Sequence, residues 1–519
     1  MQGKFVLVIM LLLMSWLIAC SNADADFNNP PTIIPNNIER FEPASGVLRV
    51  GVAGSFPYND LHGIISEWAT LFGPGPSYSR LMKFIPDMQS SSYMEVTCDL
   101  CVSYDRINDK TYKFVLNSSS KFHNFGEFDS RPVTSADVVF SLKQIADTES
   151  PHNLLMESVE TMESISNSEV KFTLKYPDPD FLLKLASPYA VIIPSNQFAD
   201  GLDREVIGSG PWTYKRGQSG QITLSSREEH PRGTNSAVIE FRIGANQDMV
   251  LRMLKNGSVD IARVPESSWP ELEEKGYNSS VIHRQGRGVI FALNANKKPF
   301  DQIANRQAVF AALNPVQAME NSFGVGIVSA GLPLINHEWE LPEGTMARFF
   351  NRDGIDLRNI EQSFDLYVAN FGDDYLTHAE IIASQLKAKG ANFEVKILTR
   401  SEYLKQIWIN KDFDAFLGPI PPIDLPNNFA LSFVHSNGGM NVTGGTKELD
   451  ELAEKFSMEN DVTSRATIAI KLQEKLLDQS LSFMAAGKSE RWVFNELVEN
   501  FVPSMPMGSG DLWSYVKKN

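Results

Sequence analysis

The sequence predicts a mixed α/β fold with a parallel sheet, and three observations support this. Segments of alternating, β-branched residues typical of strands recur along the chain, beginning at 47–52. Segments with apolar residues at helical spacing lie between some of them. In one place a strand at 364–368, a helix at 379–389 and a strand at 393–398 follow one another. That strand–helix–strand order favours parallel pairing.

The remaining elements are predicted from local patterns. Further strands are expected at 111–116, 170–174, 222–226, 238–243 and 289–293, and those at 222–226 and 238–243 are expected to pair. Further helices are expected from residue 247 to a cap signal at 256–257, over 306–313 and from 462 to about 481. Thr134 and Asp137 fit a capping box at the start of another helix. The turn at 208–211 is expected to use the positive φ that glycine permits.

Composition excludes some classes of protein. The chain has 519 residues, 43% of them hydrophobic and 21% charged, so it is long and apolar enough for two or three globular domains. The formal net charge of −16 repels phosphate backbones, and no nucleic-acid partner is expected. Three cysteines are too few for a disulfide scaffold. The body has no apolar stretch long enough to span a bilayer.

The N-terminal segment predicts export. Lys4 precedes an apolar run at 5–19 that has the form of a secretory signal. Residues 17–20 (LIAC) resemble the bacterial lipobox, which implies removal of 1–19 and attachment of a lipid to Cys20. The alternative is an ordinary signal peptide with a chance cysteine. Residues 20–46 are polar and Asn- and Pro-rich, which predicts a flexible tether. Together these features predict a periplasmic protein that is anchored to the membrane of the cell envelope.

Five motif-like stretches follow one another along the chain: 112–123 with 133–142 (VTSADVVFSL), 207–212 (IGSGPW), 253–261 (MLKNGSVDI), 293–294 with 299–301, and 306–308 (RQA). In their content and order they resemble the bacterial extracellular solute-binding proteins of the oligopeptide, dipeptide and nickel class. The resemblance runs from about residue 47 to residue 515. Arg306, at the start of its helix, is expected to be a buried structural bracket.

The resemblance implies a periplasmic-binding-protein-like α/β fold, with two lobes around a cleft and a small subdomain inserted in lobe one. It implies a monomeric receptor that closes around a small solute and delivers it to an ABC permease and its ATPase. No catalytic residue, cofactor or metal is expected. The implied organisation is a signal peptide at 1–19, a tether at 20–46, lobe one at 47–74, an inserted subdomain at 75–199, lobe one again at 200–287, lobe two at 288–487 and a return to lobe one at 488–519.

The stretch 413–429 departs from the pattern of the family's peptide binders. By alignment, the aspartate that binds the ammonium group of a peptide falls on Pro422. Pro419, Pro421 and Pro422 have no amide hydrogen to offer a peptide backbone. Asp424 either replaces the missing charge or satisfies the turn before a proline. Two ligand classes therefore stay open: a peptide-like solute, and a non-peptide solute such as a metal chelate or a saccharide. A hydrolase on the same scaffold is a third alternative.

Seven residues are candidates for ligand contact. Two follow the first strand, one enters lobe two, and the others lie in or near the altered segment: Phe56, Tyr58, Arg287, Trp408, Gly418, Asp424 and Asn427. Aromatic side chains commonly line binding clefts, although core packing is the alternative for Phe56 and Trp408. Arg287 meets an anionic ligand or serves as an exposed hinge charge.

Other chemistry-bearing patterns are weak. Cys98 and Cys101 form a CxxC without a second pair, so a zinc site is not expected, and a local disulfide remains open. The eight histidines are scattered, and no nucleophile elbow, P-loop or dinucleotide fingerprint is present. The sequence therefore favours a binding protein over an enzyme.

Overall fold

The computed structural model describes residues 45–54, 59–85, 95–124, 130–196, 205–217, 220–231, 233–503 and 510–519. The predicted signal peptide, Cys20, nearly all of the predicted tether, and the candidates Phe56 and Tyr58 lie outside the described residues. Within these ranges, no helix combines the length and the apolar character needed to cross a membrane.

The strands are β1 Ser45–Ala53, β2 Met82–Ile85, β3 Glu95–Cys98, β4 Cys101–Asn108, β5 Thr111–Leu116, β6 Val159–Ser166, β7 Glu169–Leu174, β8 Trp212–Arg216, β9 Ile222–Ser226, β10 Ser236–Gly244, β11 Ile261–Val264, β12 Asn278–Leu293, β13 Ile327–Ser329, β14 Phe364–Ala369, β15 Phe393–Leu398, β16 Ala415–Pro419, β17 Ser482–Phe494, β18 Val498–Glu499 and β19 Lys517–Lys518.

The helices are α1 Glu67–Leu71, α2 Ser135–Ala146, α3 Phe181–Ala186, α4 Gln247–Lys255, α5 Trp269–Glu274, α6 Ile303–Ala312, α7 Pro315–Phe323, α8 Asp373–Ala388, α9 Arg400–Tyr403, α10 Pro426–Asn428, α11 Lys447–Met458 and α12 Val462–Asp478. π-Helical turns at Leu404–Ile409 and Phe429–Val434 continue α9 and α10.

Two lobes share one large mixed sheet, in the order β15-β14-β16-β12-β17-β11-β1-β10-β9-β8, with β13 paired to β17. In the first lobe, β1 lies parallel to both β10 and β11. A separate antiparallel sheet, β4-β5-β7-β6, packs into the same hydrophobic core. In the second lobe, β14 lies parallel to both β15 and β16. The predicted α/β fold with parallel strands is therefore confirmed.

The long strands β12 and β17 run through both lobes. They pair from Asn278 opposite Phe494 to Ala292 opposite Ser482, and the pairing is interrupted between Arg284 and Gly288. Before the break, β17 also pairs with β11 of the first lobe; beyond the break, β12 also pairs with β16 of the second lobe. The interruption is therefore the joint between the two lobes.

Most local predictions are confirmed, and one is wrong. Thr134 and Asp137 form the predicted capping box at the start of α2. Arg306 is a buried bracket, since its guanidinium donates to the carbonyl oxygens of Phe300 and Gln479. The glycines of the 208–211 turn do not adopt positive φ. They allow close approach instead, because a Cβ on Gly208 would lie 1.8 Å from a backbone oxygen of the neighbouring turn.

Candidate functional site

Arg287 lies in the break of β12 and bridges the two lobes. Its Nε and Nη2 donate to the two carboxylate oxygens of Asp424, at 2.7 and 2.6 Å. Its Nη1 donates to Glu67 Oε2 at 3.1 Å. Asp424 follows β16 in the second lobe, whereas Glu67 begins α1 in the first. The Arg287 side chain is only 16% exposed, so it is not the exposed hinge charge considered from the sequence.

Three further charged residues join this bridge. Arg263 contacts Glu67 at 3.4 Å and Glu490 at 3.2 Å. Lys488 contacts Glu490 at 2.8 Å and Glu67 at 3.9 Å. We call the whole set the crossing-point network: Glu67, Arg263, Arg287, Asp424, Lys488 and Glu490. Its three carboxylates and three basic groups balance in charge, which is the arrangement that makes partly buried ions tolerable.

Burial and charge together set the proton affinities around the network. Burial lowers the pKa of Arg287, but the carboxylates of Asp424 and Glu67 more than offset this, so the pKa lies above its ordinary value. Burial raises the pKa of the nearby Tyr189 to about 12. At neutral pH, Arg287 therefore stays a cation and Tyr189 stays a neutral phenol.

The loop after β16 uses its backbone donors within the protein. The Ile420 amide donates to the Gly288 carbonyl oxygen at 2.9 Å, and the Ile423 amide donates to that of Gly286 at 3.0 Å. The other three residues of 419–423 are prolines without an amide hydrogen. This stretch therefore has no backbone N–H left for a bound peptide.

Asn427 takes part in a second contact between the lobes. Its backbone amide donates to Asp180 Oδ2 at 2.7 Å, and its side-chain amide donates to Asp178 Oδ1 at 3.2 Å. Arg465 Nη2 donates to Asp180 Oδ1 at 2.6 Å and to Asn427 Oδ1 at 2.8 Å. The two aspartates precede α3 in the first lobe, whereas Asn427 and Arg465 belong to α10 and α12 of the second. We call these four residues the Asp180 cluster.

The structure places Gly418 and Trp408 in packing positions of the second lobe. A Cβ on Gly418 would lie 2.7 Å from the ring of Tyr403 and 2.8 Å from the Cβ of Ala369. The Trp408 ring lies against the core and meets the ring of Phe416 edge-on, with centroids 5.9 Å apart. These contacts give both residues a role in shaping the lobe.

Most members of the two interlobe clusters were not predicted from the sequence. Arg287 and Asp424 were both candidates, but their pairing joins positions 137 residues apart in the chain. Arg465 and Asp180 are 285 residues apart. The spacing of nearby residues in the sequence does not predict contacts between positions so far apart. The nearest sequence signal was the altered proline-rich segment, which lies beside both clusters.

Cys98 and Cys101 form a disulfide with their Cα atoms 5.0 Å apart. Cys98 ends β3 and Cys101 begins β4, so the two residues lie across a turn, where their side chains can meet. Among the described residues, no group of three or more His, Cys, Asp or Glu side chains is placed to hold a metal ion.

Two α/β lobes joined by a pair of crossing strands define a binding protein of the periplasmic type. Residues 95–441 match the family described as "Bacterial extracellular solute-binding proteins, family 5 Middle", and the chain belongs to this family. It is therefore a solute-binding protein, the kind of receptor that serves ABC importers.

Known relatives agree with this assignment. The chain is 23% identical over 440 residues to Di/tripeptide-binding protein 2 of Pseudomonas aeruginosa, covering 76% of the chain and 80% of the relative. It is 23% identical over 452 residues to the Dipeptide-binding protein of Escherichia coli, covering 79% and 83%. The match to Di/tripeptide-binding protein 1 of P. aeruginosa is 27% identical, but it covers 45% of the chain and only about half of that relative, 49%.

Solved structures share the fold. HbpA2 from Haemophilus parasuis superimposes with a TM-score of 0.78 at 17% identity, over 91% of this chain and 100% of that one. DppA from Helicobacter pylori, solved in complex with the peptide STSA, gives a TM-score of 0.68 at 16% identity, over 92% and 98%.

Proposed function

We propose that this chain captures a small, peptide-like solute by closing its lobes, and delivers it as a monomer to an ABC permease and its ATPase. The observation that carries the proposal is the bridge from Arg287 to Glu67 in one lobe and to Asp424 in the other. A solute that replaces the ion pairs of this bridge with its own ion pairs contacts both lobes at once. Such contacts stabilise one lobe arrangement over the others.

The charges of the crossing-point network suit a zwitterion. The ammonium group of such a solute can pair with the carboxylates of Asp424 and Glu67. Its carboxylate can pair with the guanidinium of Arg287, which binds carboxylates in a bidentate manner. Exchange of one ion pair for another leaves no buried charge without a partner. We propose that the hinge lies at the strand break between 284 and 288 and at the facing residues 487–488, with lobe boundaries at 287/288 and 487/488.

A second candidate, a non-peptide solute, is favoured by the loop after β16. In peptide binding by strand addition, main-chain hydrogen bonds supply much of the affinity. Residues 419–423 have no backbone donor left, because both of their amides already bond β12. A solute recognised by side chains alone, such as a metal chelate or a saccharide, does not need those donors.

A thermal-shift screen of the purified full chain tests the proposal. Di- and tripeptides are expected to stabilise it by about 2.7 kcal/mol at a hundredfold excess over Kd. Asp424→Asn is expected to remove most of that gain. Arg348→Met is the control, since Arg348 forms an ion pair with Glu474 inside the second lobe. Stabilisation by metal chelates or saccharides but not by peptides would select the second candidate, and product formation from a peptide would indicate a hydrolase.

We also propose that Cys20 carries a lipid that holds the receptor at the membrane of the cell envelope. The lipobox-like residues 17–20 support this. Mass spectrometry of the mature protein is expected to show an N-terminal Cys20 with a diacylglyceryl mass. Cys20→Ser is expected to move the protein from the detergent phase to the aqueous phase in a phase-separation assay. A mature chain that begins elsewhere, or that carries no lipid, would contradict the proposal.

A further inference from the structure

The Asp180 cluster joins the lobes through residues that are separate from the crossing-point network. Both side-chain oxygens of Asp180 are occupied from the other lobe, one by the Asn427 amide and one by the Arg465 guanidinium. The side chain of Asn427 closes the set by accepting from Arg465 and donating to Asp178. Three hydrogen bonds thus link the lobes, and the fourth, from Arg465 to Asn427, joins two helices of the second lobe.

The cluster is buried on both sides of the contact. The side chains of Asp178 and Asp180 are fully buried, and that of Arg465 is only 4% exposed. Asp178 also pairs with Lys184 at 2.8 Å and accepts from the Ser158 hydroxyl at 2.6 Å. The first lobe therefore holds the Asp178 carboxylate in place from behind.

The second lobe holds Arg465 in a comparable way. The guanidinium lies over the rings of Trp339 and Phe456, with 5.0 and 4.6 Å to their centroids. Its Nε donates to the carbonyl oxygen of Phe456 at 3.3 Å. Two aromatic faces and a backbone acceptor fix the direction in which the cation points, and that direction is toward Asp180.

This geometry resists small displacements of one lobe against the other. If one lobe slides slightly against the other, a buried ion is separated from its partner while it is still shielded from water. Leaving one ion of such a pair buried and unpaired is strongly unfavourable. The crossing strands do not supply this resistance, because their ladder is interrupted at the joint. The Asp180 cluster is therefore the contact suited to select one arrangement of the lobes.

We propose that Asp178, Asp180, Asn427 and Arg465 act as an interlobe clamp that holds the receptor in the lobe arrangement of this structure. The four are positioning residues: they set how the two walls of the cleft face each other without being solute contacts themselves. The clamp goes beyond solute capture, and its test needs no solute.

Pulsed dipolar spectroscopy between spin labels measures the lobe arrangement directly. Glu160 of β6 and Glu380 of α8 are exposed positions on different lobes, and Glu160→Cys with Glu380→Cys provides the label pair in the full chain. Without added solute, the otherwise unaltered protein is expected to give one narrow distance distribution that matches the structure. Asp180→Asn and Arg465→Met are each expected to give a broader distribution displaced from that distance. Arg348→Met, which breaks an ion pair inside the second lobe, is expected to leave it unchanged.

A double-mutant cycle separates a clamp from general destabilisation. Asp180→Asn combined with Arg465→Met is expected to shift the distribution no further than either change alone, because both remove the same contact. If Arg465→Met fails to fold, Asn427→Ala is the milder variant, since it removes the side-chain bonds and keeps the ion pair. An unaltered distribution in folded Asp180→Asn would overturn the clamp. If the variants change the spin-label distances but no solute stabilises the protein in the thermal-shift screen, the clamp stands and the proposal of solute capture does not.

Discussion

At the scale of single residues, His123 links stability to pH. Its imidazole is buried, and Nε2 donates to the Gly210 carbonyl oxygen at 3.0 Å. Burial and the nearby Arg227 cation lower the pKa of His123 to about 4. Between the unfolded value of about 6.5 and the folded value of about 4, the unfolded chain binds the extra proton. The contribution of His123 to stability is therefore complete above pH 6.5 and is lost as the pH falls toward 4.

We expect this contribution to fall by about 2 kcal/mol between pH 7 and pH 5. His123→Gln keeps a donor for Gly210 but has no proton to gain, so its free energy of unfolding should vary less over that range. Chemical denaturation at both pH values measures the difference between variant and parent. His337→Gln, at an exposed position, is the matched control. Equal pH dependence in His123→Gln and the parent would show that His123 is not the group responsible.

At the scale of elements, local pattern predicted strands well where it was strong. The strands at 111–116, 222–226 and 393–398 have the predicted bounds, because each alternates apolar and polar residues between clear turn signals. Only the end of β12, at 289–293, was predicted. Its first half, beginning NSSVIH, does not alternate apolar and polar residues, and it is a strand because it pairs with β17. Such tertiary pairing leaves no local pattern.

The turn between β3 and β4, which belong to different sheets, gives a prediction at this scale. Its disulfide closes a loop of only four residues, from Cys98 to Cys101. Loop-closure entropy for so short a ring amounts to about 2 kcal/mol. We expect the double change of Cys98→Ser and Cys101→Ser to lower the free energy of unfolding by that amount. Denaturation under non-reducing conditions measures it, and the parent in reducing buffer should match the variant. A loss above about 5 kcal/mol would contradict the entropic account and point to strained packing around this turn.

At the scale of the whole molecule, the sequence indicated the fold better than the site. Ordered motifs such as VTSADVVFSL and IGSGPW lie within short stretches and identify the scaffold. The interlobe clusters instead join residues such as Arg287 and Asp424, which are distant in the chain and meet only after both lobes have formed. Some of the residues were therefore predicted as candidates, whereas their pairing was not. Glu67 and Arg465 in particular have no unusual sequence context.

The joint between the lobes yields the last prediction. Gly286 lies in the break of β12, and a Cβ there would come within 1.8 Å of the Ile423 carbonyl oxygen. Because that oxygen belongs to the backbone, Gly286→Ala must push the proline-rich loop away from β12. We expect a loss of about 1–3 kcal/mol in the free energy of unfolding. Hydrogen exchange at the Ile423 amide, which bonds Gly286, should also become faster.

Gly439→Ala is the matched control, since nothing lies within 4 Å of a Cβ at that position. It should change neither stability nor exchange at Ile423. Faster exchange in Gly286→Ala with an unchanged spin-label distance would show that the Asp180 cluster holds the lobes even when the loop beside the strand break is loosened. A change in both the exchange rate and the spin-label distance would mean that the loop and the cluster act as one contact, because the segment 420–427 contributes to the second lobe's side of each. Unchanged exchange in Gly286→Ala would mean that the close approach of Gly286 to Ile423 is not needed at the joint.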